Sequence, residues 1–105
     1  MITATVERIA EHVGVEVTLQ GWLAAKRSSG KIHFLQIRDG TGTIQCVMVR
    51  NQVPEEAFEA AGHCTQESSV VVTGTVRQDA RSPIGFEIDV GSFRVVSIAE
   101  PYPIS

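Results

Sequence analysis

The chain has 105 residues, an apolar share of 43% and a formal net charge of −3. This length supports one domain with a single core, and no apolar run approaches the roughly 20 residues of a membrane span. The N-terminus has neither the basic start nor the apolar block of a secretory signal, and Cys46 and Cys64 make no disulfide framework. We therefore expect a single cytoplasmic domain with free thiols and no membrane partner.

The N-terminal half of the chain predicts a short helix followed by three strands. Thr5 can cap the helix and Gly14 can end it. Gly21 lies inside the first strand, where a glycine indicates a bulge or a bend, and Asp39-Gly40 marks a tight hairpin turn. The predicted elements are a helix at Thr5–His12 and strands from Glu16 to about Arg27, at Lys31–Arg38 and at Thr43–Val49.

A second helix and two further strands are predicted in the C-terminal half. Pro54 opens the segment PEEAFEAAG, and proline is preferred in a first helical turn, where Glu55 and Glu56 favour the positive end of the helix dipole. The loop DARSPIG then separates the last two strands. These strands are expected at Ser68–Gln78 and from about Phe86 to Ile98, before an extended tail that contains Pro101 and Pro103.

This order of elements predicts an all-β domain with short helices. Three strands, a helix and two strands match the five-stranded Greek-key barrel called the OB-fold, with a helix between strands 3 and 4 and a short N-terminal helix. An SH3-like barrel and a five-stranded sandwich are the alternatives, but neither normally carries a helix at that place. We expect one domain over residues 1–105, with a helical segment at 1–14, the barrel at 15–98 and the start of a linker at 99–105.

The basic residues are distributed unevenly. No acidic residue lies between positions 17 and 38, and four of the nine basic residues fall in that window: Lys26, Arg27, Lys31 and Arg38. We expect a local positive field on a protein that is acidic overall. The plain alternative is a solvated hairpin with no ligand.

Strand alternation predicts which side chains of the second strand face outward. His33, Leu35 and Ile37 form the better core face. The opposite face carries the residues Ile32, Phe34, Gln36 and Arg38. Across the turn, Gln45 of the third strand is expected on the same outer face, and Arg27 can reach it from the side.

This combination of side chains is suited to an unpaired nucleotide. Phe34 offers a ring on which a base can stack, Gln45 can donate to and accept from a base edge, and Arg27 can stack or bind phosphate. Backbone and phosphate contacts are expected from Lys26, Lys31, Arg38 and Gln36. The alternative is that Phe34 only packs beneath the 28–30 turn.

The remaining residues show no pattern typical of a catalytic or metal-binding site. The histidines and cysteines lack metal-ligand spacing, and no catalytic pair can be placed, so we expect neither catalytic nor metal-binding residues. Cys46 is expected inside the barrel. Trp22 is expected in the core or at a seam, on the assumption that its strand changes faces around Gly21.

The segment GWLAAKRSSGKIHFLQIRDGTGTIQ, residues 21–45, closely resembles the N-terminal domain of asparaginyl-tRNA synthetases, which are class II aminoacyl-tRNA synthetases. The likeness continues in VPEEAF at 53–58, ESSVVVTGTV at 67–76 and YPI at 102–104, and so covers nearly the whole chain. Aspartyl and lysyl synthetases share the Gly-Trp strand start, the basic pair and the turn. The segment RSSGKIHFLQIRDGTG is more similar to the asparaginyl branch.

The resemblance implies that the barrel holds a tRNA anticodon stem-loop. In that family the phenylalanine of the second strand stacks on the central anticodon uridine, and a glutamine and an arginine contact the same base. The matching residues are Phe34, Gln45 and Arg27.

The family continues into an ATP-binding catalytic domain, so the resemblance implies that this chain is no enzyme by itself and binds no cofactor. It would be a separately produced domain or a standalone relative. The parent would be a homodimer that joins asparagine to its tRNA with ATP and Mg²⁺. The alternatives are an aspartyl parent, a sequence-neutral module for single-stranded nucleic acid, and a protein-interaction barrel.

Overall fold

The computed structural model describes residues 2–97. Predicted features beyond Ser97, namely the end of the last strand at Ile98, the 99–105 linker, the proline tail and the YPI match, lie outside the described residues. The strands are β1 (Ile2–Ala4), β2 (Glu16–Ser29), β3 (Ile32–Arg38), β4 (Thr43–Val49), β5 (Ser69–Gln78) and β6 (Phe86–Ser97). The helices are α1 (Glu55–His63) and two 3₁₀ helices, at Val6–His12 and Arg50–Gln52.

The strands form one sheet that closes into a barrel. Its order is β1-β2-β3-β4-β6-β5, and an additional β2–β5 pairing closes it. Neighbouring barrel strands are antiparallel except β4 and β6, which run parallel. With α1 between β4 and β5, this is the predicted five-stranded OB-fold with one extra strand, so the predicted fold class is confirmed.

Strand β2 belongs to both halves of the barrel because it changes partner strand next to Gly21. Residues 16–22 pair with β5, whereas residues 22–29 pair with β3. A Cβ atom on Gly21 would lie 2.4 Å from the carbonyl oxygen of Arg38, so only glycine permits this approach of two backbones. The bulge itself lies further along, between Leu23 and Ala25.

The core fills the barrel from its inward strand faces. Leu35, Ile37, Cys46 and Met48 are fully buried, as alternation predicts for β3 and β4. The hydrophobic face of α1 closes one end of the barrel with the residues Ala57, Phe58 and Ala61. Burial raises the pKa of the Cys46 thiol, and the charge of Glu87 adds to that effect.

The N-terminal segment differs from its prediction in two ways. Residues 2–4 form a strand that pairs in parallel with β2, which the sequence did not indicate. The helix is of the 3₁₀ type, and the Thr5 side chain makes no capping hydrogen bond. Instead the Asp39 carboxylate accepts from the amide of Val6 at 2.8 Å, so the β3–β4 loop holds the helix start.

Trp22 was predicted in the core or at a seam; the core prediction is wrong, although the residue lies where β2 changes partner between β5 and β3. Its side chain is 42% exposed. The reason is that alternation continues through Gly21: Val17, Leu19 and Leu23 are buried, and Gly21 takes the inward position between them. Trp22 therefore points outward.

Candidate nucleic-acid interface

The outer faces of β3 and β4 form an apolar surface, which we call the platform. It consists of two cross-strand pairs, Phe34 with Val47 and Ile32 with Val49. All four side chains are half-buried, whereas their neighbours along both strands are buried beneath them. Phe34 is thus on the outer face as predicted, although it is not fully bare to solvent.

Arg27 covers the ring of Phe34. The two residues are directly paired across β2 and β3, and the guanidinium carbon of Arg27 lies 4.3 Å from the ring centroid. This is a cation–π contact between a charged plane and an aromatic face. The sequence placed both residues on this face but gave no indication that they touch in the absence of a ligand.

A row of polar side chains lies beside the platform. It begins at the next outward-facing residue pair of β3 and β4, Gln36 with Gln45. The Gln36 side-chain nitrogen Nε2 donates to the side-chain oxygen Oε1 of Gln45 at 2.9 Å. The Gln45 amide nitrogen donates to Glu87 Oε2 at 2.7 Å. A carboxylate only accepts hydrogen bonds, so Glu87 determines which end of the Gln45 amide faces it. Gln45 keeps one further N–H and one further lone pair for a ligand.

Glu87 is itself held by Arg77, which pairs with it across β5 and β6. The Arg77 guanidinium donates to Glu87 at 2.9 Å, to Asp89 at 2.9 Å and to Asp79 at 3.1 Å. Glu87 is buried although it is charged, and this ion pair offsets the cost of removing its charge from water. The backbone amide and guanidinium of Arg81, together with Arg77, lower the pKa of Asp79 to about 2.

Sequence reasoning missed Glu87. The residue lies 42 positions after Gln45 and reaches it only because β6 runs parallel to β4. The expected positive field is therefore partly offset on this face. Arg38 is paired in the same way, because both of its hydrogen bonds go to the carboxylate of Glu67, at 2.8 and 3.0 Å.

The two lysines of the acid-free window have different surroundings. Lys26 Nζ donates to the carbonyl oxygens of Ala61, Gly62 and Cys64 at 3.2, 2.6 and 3.1 Å, which satisfies the C-terminal end of α1. Lys31 is exposed and makes no salt bridge within residues 2–97. Of the two, Lys31 is the ammonium that a phosphate can reach without breaking existing bonds.

His33 supports the platform from beneath. Its Nδ1 lies 2.7 Å from the Ser28 hydroxyl and its Nε2 lies 3.2 Å from the carbonyl oxygen of Phe58. Its ring also stacks on that of Phe58, with centroids 4.0 Å apart. Burial lowers the His33 pKa; the Phe58 carbonyl acts against this and the Lys26 charge adds to it. The ring is thus neutral and carries its hydrogen on Nε2, and it joins the β2–β3 hairpin to α1.

No group of three or more His, Cys, Asp and Glu residues is arranged to hold a metal ion in residues 2–97. No helix in that range is long and apolar enough to cross a membrane.

Comparison with known proteins agrees with this geometry. Residues 17–96 match the family model described as the OB-fold nucleic acid binding domain. The asparagine–tRNA ligase of Roseiflexus sp. (strain RS-1) is 52% identical over 102 residues, which are 97% of this chain and 23% of that protein.

Solved structures give the same result. Asparaginyl-tRNA synthetase from Pyrococcus horikoshii, complexed with asparaginyl-adenylate, is 38% identical with a TM-score of 0.88, over 100% of this chain and 24% of that one. Aspartyl-tRNA synthetase from Entamoeba histolytica is 27% identical with a TM-score of 0.81, over 99% and 22% of the two chains. The chain thus spans about a quarter of the length of these relatives.

Proposed function

This chain belongs to the family of OB-fold nucleic acid binding domains, and on that premise we propose that it binds the anticodon loop of an asparagine tRNA and identifies the central uridine. The observation that carries the proposal is the placement of Arg27, Phe34 and Gln45 on one outer face of the barrel. A stacking ring, a planar cation and an oriented amide together can hold and identify one unpaired base.

In this proposal the base lies against Phe34. Stacking on an aromatic side chain contributes about 1–3 kcal/mol per base and tolerates any base. The base meets the ring on the side that Arg27 now covers, so the guanidinium shifts to the rim of the site. There it can donate to the base or to the flanking phosphate.

Selectivity for uridine then rests on Gln45. The free N–H and the free lone pair of its amide complement a carbonyl oxygen of uracil and the adjacent ring N–H. Cytosine presents the reverse pattern at those two atoms. Because the Glu87 carboxylate only accepts, the Gln45 amide cannot rotate to accommodate cytosine without losing that hydrogen bond and placing its oxygen against the carboxylate.

The activity of the whole protein is a further part of the proposal. Two of the relatives named above are asparaginyl enzymes and the third is an aspartyl enzyme, and each is about four times as long as this chain. Ligases of this kind use ATP and Mg²⁺. This chain matches the nucleic-acid-binding barrel and about a quarter of such a ligase, so we assign no step of the ligation to it. Its part is tRNA recognition, and the homodimer and the cytoplasmic location stay predictions.

The test is a titration of the 105-residue chain with anticodon hairpin RNAs that differ in the central base. Uridine should bind more tightly than cytidine by about 1–3 kcal/mol, because the amide loses its pairing and remains partly desolvated. Equal affinity for both bases and for poly-pyrimidine DNA would indicate a sequence-neutral module. No binding even at low salt would indicate a protein-interaction barrel.

A further inference from the structure

The platform extends past Phe34 into a pocket that the stacked base does not use. Lys31, Val49, Arg50, Asn51 and Glu55 line a cavity of about 380 Å³. Val49 belongs both to this pocket and to the platform. The Ile32–Val49 pair lies two residues beyond the Phe34–Val47 pair, which corresponds to about 7 Å along the strands.

The pocket has an apolar floor and a polar rim. Val49 is half-buried at the floor, and Lys31, Arg50 and Asn51 are exposed at the rim. The Arg50 amide donates to the Lys31 carbonyl at 2.8 Å, so these two residues are held side by side. This combination suits a group that is apolar on one side and anionic on the other, such as a sugar with its phosphate.

The charges at the rim favour an anion. Arg50 is paired with Glu55, at 3.0 Å between Nη2 and Oε2, which leaves these two residues neutral as a pair. Lys31 then provides a net charge of +1 at the pocket. The Asn51 amide has no protein hydrogen-bond partner within residues 2–97, and it can donate to a phosphate or to a base edge.

We propose that this pocket is a second nucleotide subsite, which takes the nucleotide next to the stacked uridine, with its phosphate on Lys31 and Asn51 and its sugar on Val49. The proposal rests on the proposed function, since the same RNA strand must pass over Phe34. It assigns binding roles to Asn51 and Val49, which neither the sequence pattern nor the resemblance indicated.

The test is a hairpin titration with Asn51→Ala. This variant changes no charge, so any loss of affinity does not come from the general field of the protein. One hydrogen bond corresponds to a loss of about three- to tenfold in affinity. Gln20→Ala is the matched control, because it removes an exposed amide from the β2–β5 side of the barrel, and it should bind as the wild type does.

A second variant guards against an effect on folding. Asn51→Asp keeps the shape of the side chain and places a negative charge where we expect the phosphate, so it should weaken binding more than Asn51→Ala, and most at low salt. In NMR spectra of the wild type, the Asn51 side-chain amide and the Val49 methyl groups should shift when the hairpin is added.

The outcomes separate this proposal from the one before it. If Phe34→Ala weakens binding while both Asn51 variants bind normally and Val49 does not shift, the second subsite is wrong and the anticodon site stands. If Phe34→Ala has no effect either, the anticodon site itself is wrong. A loss with Asn51→Asp that exceeds the loss with Asn51→Ala, with Gln20→Ala unchanged, supports the subsite.

Discussion

The guanidinium of Arg27 lies over the ring of Phe34 at 4.3 Å, from a directly paired position on the neighbouring strand. The ring is half-buried, and a charged side chain covers one of its faces. An aromatic face covered in this way is shielded from water, and it becomes accessible to a base when one side chain moves. A base that binds there exchanges a cation–π contact, which contributes about 0.5–1 kcal/mol at an exposed site, for stacking.

The first prediction concerns the ring of Phe34. Phe34→Leu should weaken hairpin binding by about 1–3 kcal/mol, because it keeps an apolar side chain but removes the stacking face. Phe34→Tyr retains the ring and should bind within about twofold of the wild type, which is near the limit of such a measurement. Fluorescence anisotropy with a labelled hairpin measures both. Equal affinities for the Leu and Tyr variants would mean that the base does not stack here.

The second prediction concerns Arg27. Arg27→Met should weaken hairpin binding by about 1–2 kcal/mol, because a hydrogen bond to a charged group is lost. Arg27→Lys keeps the charge but lacks the planar guanidinium, so it should recover less than half of that loss. Isothermal titration calorimetry at two salt concentrations distinguishes the charge from the planar contact. Full recovery by lysine would show that Arg27 acts only through its charge.

The layout of the site could be predicted where the pattern is local. Alternation over residues 32–38 places Phe34 and Gln36 outside and Leu35 inside, and the short connection after Arg38 carries the same alternation into β4. Strands β3 and β4 and helix α1 could be predicted for the same reason. Each of them shows its period within about ten residues.

Contacts between distant segments could not be predicted in this way. Gln45 meets Glu87 through a parallel pairing, and Asp39 caps a helix that begins 33 residues earlier. The strand at residues 2–4 is too short to show a period. The absence of acidic residues between positions 17 and 38 likewise holds along the sequence but not on the folded surface, because folding brings Glu67 to Arg38.

The third prediction concerns Glu87. Glu87→Gln should reduce the preference for uridine over cytidine about three- to tenfold, because a glutamine can donate as well as accept and no longer fixes the Gln45 amide. Binding of both hairpins should become tighter at low salt and more sensitive to salt, since a negative charge that repels the RNA leaves the face. The matched control is Glu67→Gln, which removes the negative charge that is paired with Arg38 and leaves the hydrogen bonds of Gln45 in place. An unchanged uridine preference in Glu87→Gln would mean that Gln45 needs no partner.

The fourth prediction separates the two lysines. Lys26→Met should lower the free energy of unfolding by about 1 kcal/mol, because three carbonyl groups at the end of α1 lose their donor. Lys31→Ala should leave stability unchanged and reduce the slope of log affinity against log salt by about one contact.

The measurements for this pair are urea unfolding and a salt series of hairpin titrations. Arg94→Ala removes an exposed positive charge from β6 and is the charge control for Lys31→Ala. Its salt slope should match that of the wild type. A reduced slope for Lys26→Met, with unchanged stability, would instead assign Lys26 to phosphate, as its place in the acid-free window suggested.

The last prediction concerns pH. Burial lowers the His33 pKa below 6.5, so the folded protein binds a proton at this site less readily than the unfolded chain does. Above pH 6.5 the His33 contribution to stability therefore does not change with pH. The free energy of unfolding should fall as pH decreases from 6.5 towards the lowered pKa. Urea unfolding between pH 7.5 and about 5 measures this slope, over the range in which histidine titrates.

The β2–β3 hairpin should loosen from α1 over the same interval, because a protonated, buried ring faces the Lys26 charge. His33→Gln can still bond to Ser28 or the Phe58 carbonyl but does not titrate, so its stability should be lower at pH 7.5 and should change less down to about pH 5. His63→Gln removes an exposed histidine at the end of α1, leaves His33 in place and should keep the wild-type slope. A His33→Gln protein with the full wild-type slope would mean that another group is responsible.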